Sequence, residues 1–430
     1  MPTFVTEQVR HPILNGRGHA LRGPPIGLFH SVFNSFHAAL RSSGPSPADP
    51  ETYSLVKDLF IAFARLYDTE DERIAVIDEY LFPLLGERFL TVIAPGVRSD
   101  GVIVQSCGGH TAYVAIREIK NEIGTPSADP YTQGSLSYRK YWAGEDGAVI
   151  RARCYCPAII LAIAGPWLCV SGGVYLLRAV VQPLTDYVWL GGDPFDEGRL
   201  RFAARLFVAL RSAINDLRAY YKQLESQLSS PPSLTLYPDA LPFAQQYGPQ
   251  TFTYRSRMAC NYPYKLLYLA ELDGPQPRLV VVKFVSKYCA QAHRLLAAHN
   301  LSPVLHYAGT EDTQASMYGA RYMVVMDFVD AEPLNTLTEL QFQQVTNAIR
   351  LLHSHHFVFG DLRLPNILIK DGNAMIVDFD WCGEEGKACY PESLNHQDID
   401  WAVGVSPGSV ITREHDLHML DNLKPAMLVD

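Results

Sequence analysis

The segment Asn366-Ile367-Leu368-Ile369-Lys370-Asp371-Gly372-Asn373-Ala374-Met375-Ile376-Val377-Asp378 constrains this chain more than any other. Two short apolar runs flank Asp371-Gly372, a dipeptide that accepts the positive φ of a two-residue turn, so the spacing predicts a tight antiparallel hairpin. Closing the hairpin brings its ends together, and the ends carry Asn366 and Asp378. An amide oxygen beside a carboxylate makes a pair of hard oxygen ligands suited to Mg²⁺, which keeps waters and accepts substrate phosphates. Asp361 lies five residues before Asn366. There it is placed to accept or orient the proton of an attacking hydroxyl, with Arg363 beside it to neutralise charge.

A second constraint lies upstream. Leu279-Val280-Val281-Val282-Lys283-Phe284-Val285 reads as a strand apolar on both faces. Its central lysine must therefore find an anion or snorkel to solvent at the strand end. Residues 302–309 and 322–329 add strand material, and 340–355 predicts a helix with Phe342, Val345, Ile349 and Leu352 on its apolar face.

Asp361-Leu362-Arg363-Leu364-Pro365-Asn366 resembles a protein-kinase catalytic loop. In the same way Asp378-Phe379-Asp380 resembles the metal-binding motif, and Val281-Val282-Lys283 the strand-three lysine motif. With Lys283-Phe284, Tyr288, His293-Arg294-Leu295-Leu296 and Ser302-Pro303, they make residues 245–425 similar to the divergent fungal-type protein kinase family. The compact loop is also similar to those of aminoglycoside and choline kinases, which leaves a small-molecule acceptor open. The resemblance implies a two-lobed α+β domain that takes ATP and Mg²⁺ between its lobes and transfers the γ-phosphoryl group to a hydroxyl, with a protein Ser or Thr as the first expectation. It implies Lys283 on the α and β phosphates and Asn366, Asp378 and Asp380 around Mg²⁺. Asp361 is then the base or hydroxyl positioner, and Met326, Asp327, Phe328 and Val329 form the hinge beside adenine.

The pattern departs from that family in four places. Met258-Ala259-Cys260-Asn261 stands where glycines are expected, and Gln291 replaces the helix glutamate expected to pair Lys283. Phe359-Gly360 replaces the His-Arg before the loop aspartate, and Asp380 replaces a glycine. His415-Asp416 allows two readings, a buried aspartate bracing the loop from a later helix or a solvated helix face. Three functional classes follow: a phosphotransferase, a pseudokinase acting by contact, and a nuclease with a regulatory kinase-like part.

The nuclease class rests on the first half of the chain. Ser99-Asp100-Gly101 precedes Glu118-Ile119-Lys120, whose Glu118 and Lys120 share one face of a strand. Two carboxylates and a lysine on adjacent strands can hold Mg²⁺ and polarise a water. With Gln133 and Tyr138 on the next helix the set resembles the PD-(D/E)xK nuclease-like fold, although Gln133 to Tyr138 is one residue off the family spacing. A charged strand end is the bland alternative for these residues.

Length and patterning organise the rest. At 430 residues the chain is long for one core. Residues 1–50 read as an extension with one helix (28–41) and a linker through Ser42-Ser43-Gly44-Pro45-Ser46-Pro47. Residues 51–227 read as an α/β domain, 228–244 as a Pro/Ser-rich joint, and 245–430 as the kinase-like domain with lobes 245–329 and 330–430. Helices are predicted over 51–67, 69–85, 130–142 and 197–227, and strands over 89–93, 101–105 and 112–120. The uncharged stretch 157–177 is long enough to span a bilayer, but Gly165, Pro166, Gly172 and Gly173 favour two buried strands joined by a turn. A net charge of −9 leaves nucleic acid only a local patch in the first half to bind. Eight cysteines without a CxxC pair, and an amino terminus without a secretory pattern, predict an intracellular protein with no membrane partner.

Overall fold

The computed structural model describes residues 2–42, 44, 48–94, 97–124, 129–192, 196–228, 240–259, 265–312, 315–331, 334–395 and 399–424. The chain divides into two compact units, one holding Met1–Ala244 and the other Gln245–Ala259 with Leu266–Asp430. Both mix helices with sheet.

In the first unit the order is α1 (Pro2–Arg10), α2 (Ser31–Arg41), α3 (Pro50–Ala64), α4 (Glu70–Leu85), β1 (Leu90–Ala94), β2 (Val97–Cys107) and β3 (His110–Lys120). There follow α5 (Pro130–Ala143), α6 (Ala148–Arg151), β4 (Ala158–Ala164), β5 (Trp167–Tyr175), β6 (Ala179–Pro183), β7 (Val188–Trp189) and α7 (Glu197–Leu224). Local chemistry sets the helix ends. Thr69 accepts the Glu72 N–H at 3.1 Å to start α4, and Gly86, at φ 78°, closes it in the left-handed conformation. The uncharged stretch folds as β4 and β5, an antiparallel pair turning at Gly165 (φ 55°). Every residue of β4 is buried, as a strand covered on both faces requires. Among the described residues no helix is long and apolar enough to cross a membrane.

The seven strands run β1-β2-β3-β4-β5-β6, with β7 on β5. Only β3 and β4 are parallel, and α5 is the crossover between them. Gly134 lets α5 press on the sheet, because a Cβ there would lie 2.6 Å from Ile160 Cγ2 and 3.6 Å from Glu118 Cγ.

The first fifty residues are no appended extension, which corrects the expected boundary. Leu14 bridges Val180, Arg139 donates to the His11 carbonyl at 3.1 Å, and α2 packs on α7. Gly172 makes the room: a Cβ on it would stand 2.5 Å from Phe33 Cε1 and from Ile26 Cδ1. Most of the two expected linkers, residues 43, 45–47 and 229–239, lies outside the described residues, as does 260–261 of the segment standing for the glycine loop.

The second unit runs β8 (Gln246–Tyr247), β9 (Gln250–Met258), β10 (Leu267–Leu272), β11 (Arg278–Val285), α8 (Ala290–Ala297), β12 (Leu305–Ala308) and β13 (Tyr322–Asp327). Then come α9 (Glu339–Ser354), β14 (Phe357–Val358), β15 (Ile367–Lys370), β16 (Asn373–Ile376), β17 (Gly383–Glu384) and α10 (Arg413–Asp421). Strands β12-β13-β11-β10-β9-β8 form one antiparallel sheet. Alternation along β11 buries Val280, Val282 and Phe284 on one face. It turns Lys283 the other way with Val281 and Val285, toward a cluster that includes Leu296, Leu352, Leu362, Ile367 and Phe379. The hairpin β15–β16 pairs Lys370 with Asn373 around Asp371 (φ 49°) and Gly372 (φ 80°), the two positive φ angles that turn requires.

Candidate functional site

Strand β11, the β15–β16 hairpin and the loop before it deliver the charged side chains of the second unit to one place. The Lys283 ammonium makes direct ion pairs with Asp378 and Asp380. Its side chain is 12% exposed, and burial alone would pull its pKa down. The two carboxylates outweigh that and hold it above its usual value. Asp380, half-buried and crowded by Asp378, is raised despite Lys283. Asp378 itself adopts φ 75°, left-handed backbone that non-glycine residues rarely take. The turn aims its carboxylate back at the lysine.

Across the hairpin, Val377 N–H donates to the Asn366 carbonyl at 2.9 Å, which sets Asn366 next to Asp378. The Asn366 amide nitrogen donates to both the carbonyl and Oδ2 of Asp361, each at 2.8 Å. That choice of donor leaves the amide oxygen as a free acceptor among the described residues. Arg363 grips Asp361 in a two-point contact, Nε to Oδ1 at 2.5 Å and Nη2 to Oδ2 at 2.9 Å. Three of the roughly four acceptor positions of the Asp361 carboxylate are thus taken.

The loop is braced from behind. Asp416 on α10 is fully buried and accepts the N–H groups of Phe359 and Gly360, both at 2.8 Å. His353 Nε2 contacts the same carboxylate at 2.9 Å. Of the two readings for His415-Asp416, the solvated face therefore fails for Asp416. Gly360, at φ 81°, sits where a Cβ would meet Ile411 Cδ1 at 2.7 Å, so the residue before Asp361 has to be small and left-handed.

Phe379 ties this segment to α8. Its ring stacks on His293 at 4.6 Å with planes 7° apart, and its carbonyl accepts the Cys289 N–H at 3.1 Å. His293 is buried between the Tyr288 hydroxyl on Nδ1 (2.6 Å) and the Pro303 carbonyl on Nε2 (2.8 Å). The carbonyl can only accept, so Nε2 carries the proton, and burial pulls the pKa to about 4.

Two of the residues expected around the nucleotide stand elsewhere. Gln291 is exposed on α8, and the carboxylates on Lys283 come from Asp378 and Asp380 instead. Where the expected helix acid is missing, the extra aspartate supplies the charge. Asp327 is engaged by His306 at 2.7 Å and by Arg278 at 3.5 Å. The amides of Asp327 and Phe328 donate to the carbonyls of Val304 and Leu279, and Met326 is paired in the sheet with Val281 and Leu305.

In the first unit, β2, β3 and α5 gather a second acid cluster. Glu118 is 2% exposed and accepts from the Ser137 hydroxyl at 2.8 Å. Burial first, then the nearby Asp100, pushes it up to about 8, against the pull of Ser137 and Lys120. Asp100 accepts the Ile119 N–H at 2.8 Å, and the Gln133 amide oxygen is buried with no partner among the described residues. Lys120 donates to Glu70 at 3.0 Å, a residue from α4 that no local pattern points to. Tyr138 is turned to the core and donates to the Cys156 carbonyl at 2.8 Å, which removes it from the expected set.

Comparison with known proteins finds no family model and no curated protein that matches this chain.

Proposed function

We propose that the second unit is a phosphotransferase that takes Mg-ATP and passes its γ-phosphoryl group to a hydroxyl acceptor, a protein Ser or Thr side chain being the first to test. The observation that carries this reading is the convergence of one largely buried lysine, three acidic side chains and an amide, from three separate stretches of chain, with Asp361 held by a two-point arginine and its loop by a fully buried aspartate. The donor set fits Mg²⁺: Asp378, Asp380 and the Asn366 amide oxygen are hard oxygen ligands. Bound there, Mg²⁺ supplies charge neutralisation on the phosphates. Lys283 would pair with the non-transferred phosphates, and Asp378 and Asp380 would hold the metal. Asp361 keeps one acceptor position open, which suits it to orient a hydroxyl and take its proton. Asp416 acts only through the loop it holds.

The test is transfer from γ-labelled ATP with Mg²⁺, read by self-modification and on a generic protein acceptor, for the wild type, Asp361→Ala and Asp378→Ala. Transfer in the wild type that both substitutions abolish supports the reading. ATP binding without transfer in any form points to a pseudokinase, and no Mg²⁺-dependent ATP binding refutes both.

A second reading concerns the first unit and rests on the buried Glu118 beside Asp100. A buried carboxylate beside a second one is a pair that a divalent cation can bridge, so Glu118 and Asp100 support a Mg²⁺-dependent site for phosphodiester cleavage. Mg²⁺-dependent nicking of DNA that disappears in Glu118→Ala is its test; without nicking, the unit is left as an interaction module.

A further inference from the structure

The stretch after Asp380 folds back on the loop that carries Asp361. It leaves on β17, which pairs Gly383 with Val358 and Glu384 with Phe357, next to Phe359-Gly360. It returns with Cys389 bridged to Val410, and the Tyr390 and Ile411 N–H groups donate to the carbonyls of Ser409 and Ala388 at 2.9 and 2.8 Å. Ile411 is the side chain that closes on Gly360. Between these ties lie three rings. Tyr390 meets Trp401 at 5.6 Å and Trp381 at 5.9 Å, both edge to face, and the two indoles are 6.2 Å apart. Tyr390 is buried, and its hydroxyl has no hydrogen-bond partner among the described residues. Trp381 and Trp401 are partly exposed, and the Trp401 indole is fixed by its N–H on the Asn395 carbonyl at 2.8 Å. Charge around the rings is one-sided. Lys387 and Arg413 are taken up by Glu384 and Glu385. Glu392, two residues after Tyr390, and Asp400, beside Trp401, are exposed without a Lys or Arg ion pair among the described residues, and His418 stands 3.7 Å from Asp400. Val403, two residues beyond Trp401, is fully exposed.

We propose that Trp381 and Trp401, with Glu392 and Asp400, form the docking surface for a basic protein segment whose Ser or Thr is presented to Asp361. The exposed carboxylates draw a guanidinium or ammonium, which rests on an indole face. Its methylene stem covers Val403. A neutral or acidic segment gains neither contact, and the same acids repel a nucleic-acid backbone. The surface lies against the loop before Asp361 through Ile411 and β17, so a segment held on it has its neighbouring residues at that carboxylate. What happens to the docked hydroxyl rests on the phosphotransferase reading; the docking does not.

The experiment measures binding of fluorescein-labelled Ser peptides to the full chain by anisotropy at low salt, with arginine, alanine or glutamate flanking the serine. The arginine peptide should bind about five- to tenfold more tightly than the alanine peptide. The double variant Glu392→Lys/Asp400→Lys should reverse the order and favour the glutamate peptide, which a merely structural role for these exposed acids would not produce. Trp401→Phe, which keeps a ring in the cluster, should weaken the arginine peptide by about two- to threefold. Equal binding of the three peptides, or an arginine preference that the double variant retains, overturns the surface; unchanged affinity in Trp401→Phe overturns the part played by the indole. The same peptides are then given γ-labelled ATP with Mg²⁺. An arginine peptide that binds in the expected order but receives no phosphoryl group upholds the docking surface and counts against the phosphotransferase reading alone.

Discussion

Asp416→Ala isolates the brace behind the Asp361 loop. The wild-type carboxylate is fully buried and takes two backbone N–H groups at 2.8 Å and His353 at 2.9 Å. Alanine leaves those two N–H groups buried and unpaired. Hydrogen bonds to a charged partner are worth about 1.5–3 kcal/mol each, and orphaning buried donors costs about 1–3 kcal/mol apiece. The two figures describe the same loss, so the net expectation for the substitution is about 3–5 kcal/mol, in the range for breaking a buried charged pair. With a urea slope of about 1–3 kcal/mol/M, the unfolding midpoint of the second unit should fall by roughly 1–5 M. Equilibrium urea unfolding followed by tryptophan fluorescence reads this directly. Asp421→Asn, on the exposed part of the same helix, is the control and should stay within about 0.5 kcal/mol. A midpoint for Asp416→Ala within the control's range would refute the bracing role, whatever the activity does.

Three further outcomes follow from the geometry. Glu118 is protonated more readily in the fold than in the unfolded chain, so stability of the first unit should fall as pH rises from about 4.5 to about 8, by up to roughly 5 kcal/mol. Glu118→Gln keeps an acceptor for Ser137 and should flatten that slope; urea midpoints at three pH values with parallel trends for both proteins would contradict it. Lys283→Met leaves Asp378 and Asp380 without their cation and should lower Mg-ATP affinity by about tenfold or more in isothermal titration, equivalent to ~1.4 kcal/mol. Unchanged affinity would remove Lys283 from the phosphate site. Thr338→Ala removes a capping box in which Gln341 N–H reaches the Thr338 hydroxyl at 3.3 Å and the Gln341 side chain accepts Thr338 N–H at 2.9 Å. It should cost about 1 kcal/mol by denaturant titration, and no loss would mean that α9 is held by packing alone.

Local chemistry made much of this molecule legible before any coordinates. The Asp371-Gly372 turn, the Thr69 cap and the two strands around Gly165 each depend on residues within a few positions of one another, and each forms where the pattern places it. The adjacency of Asn366 and Asp378 follows from the same hairpin, because a two-residue turn leaves no freedom of register. The lysine of β11 was marked by its apolar neighbours, since an ammonium there cannot stay unpaired.

Only the tertiary structure decided who pairs with whom. Spacing to a known pattern suggested Gln291 as the neighbour of Lys283, but the rotation of α8 exposes that residue and Asp380 takes its place. Glu70 meets Lys120 across fifty positions, and Asp416 reaches Gly360 across fifty-six. Phe33 finds the gap over Gly172 and so makes the first fifty residues part of the first unit. Turns, caps and alternation are set by nearest neighbours along the chain. Ion pairs and packing partners depend on how whole elements are rotated and stacked, and that is fixed by the sum of many long-range contacts that no short segment encodes.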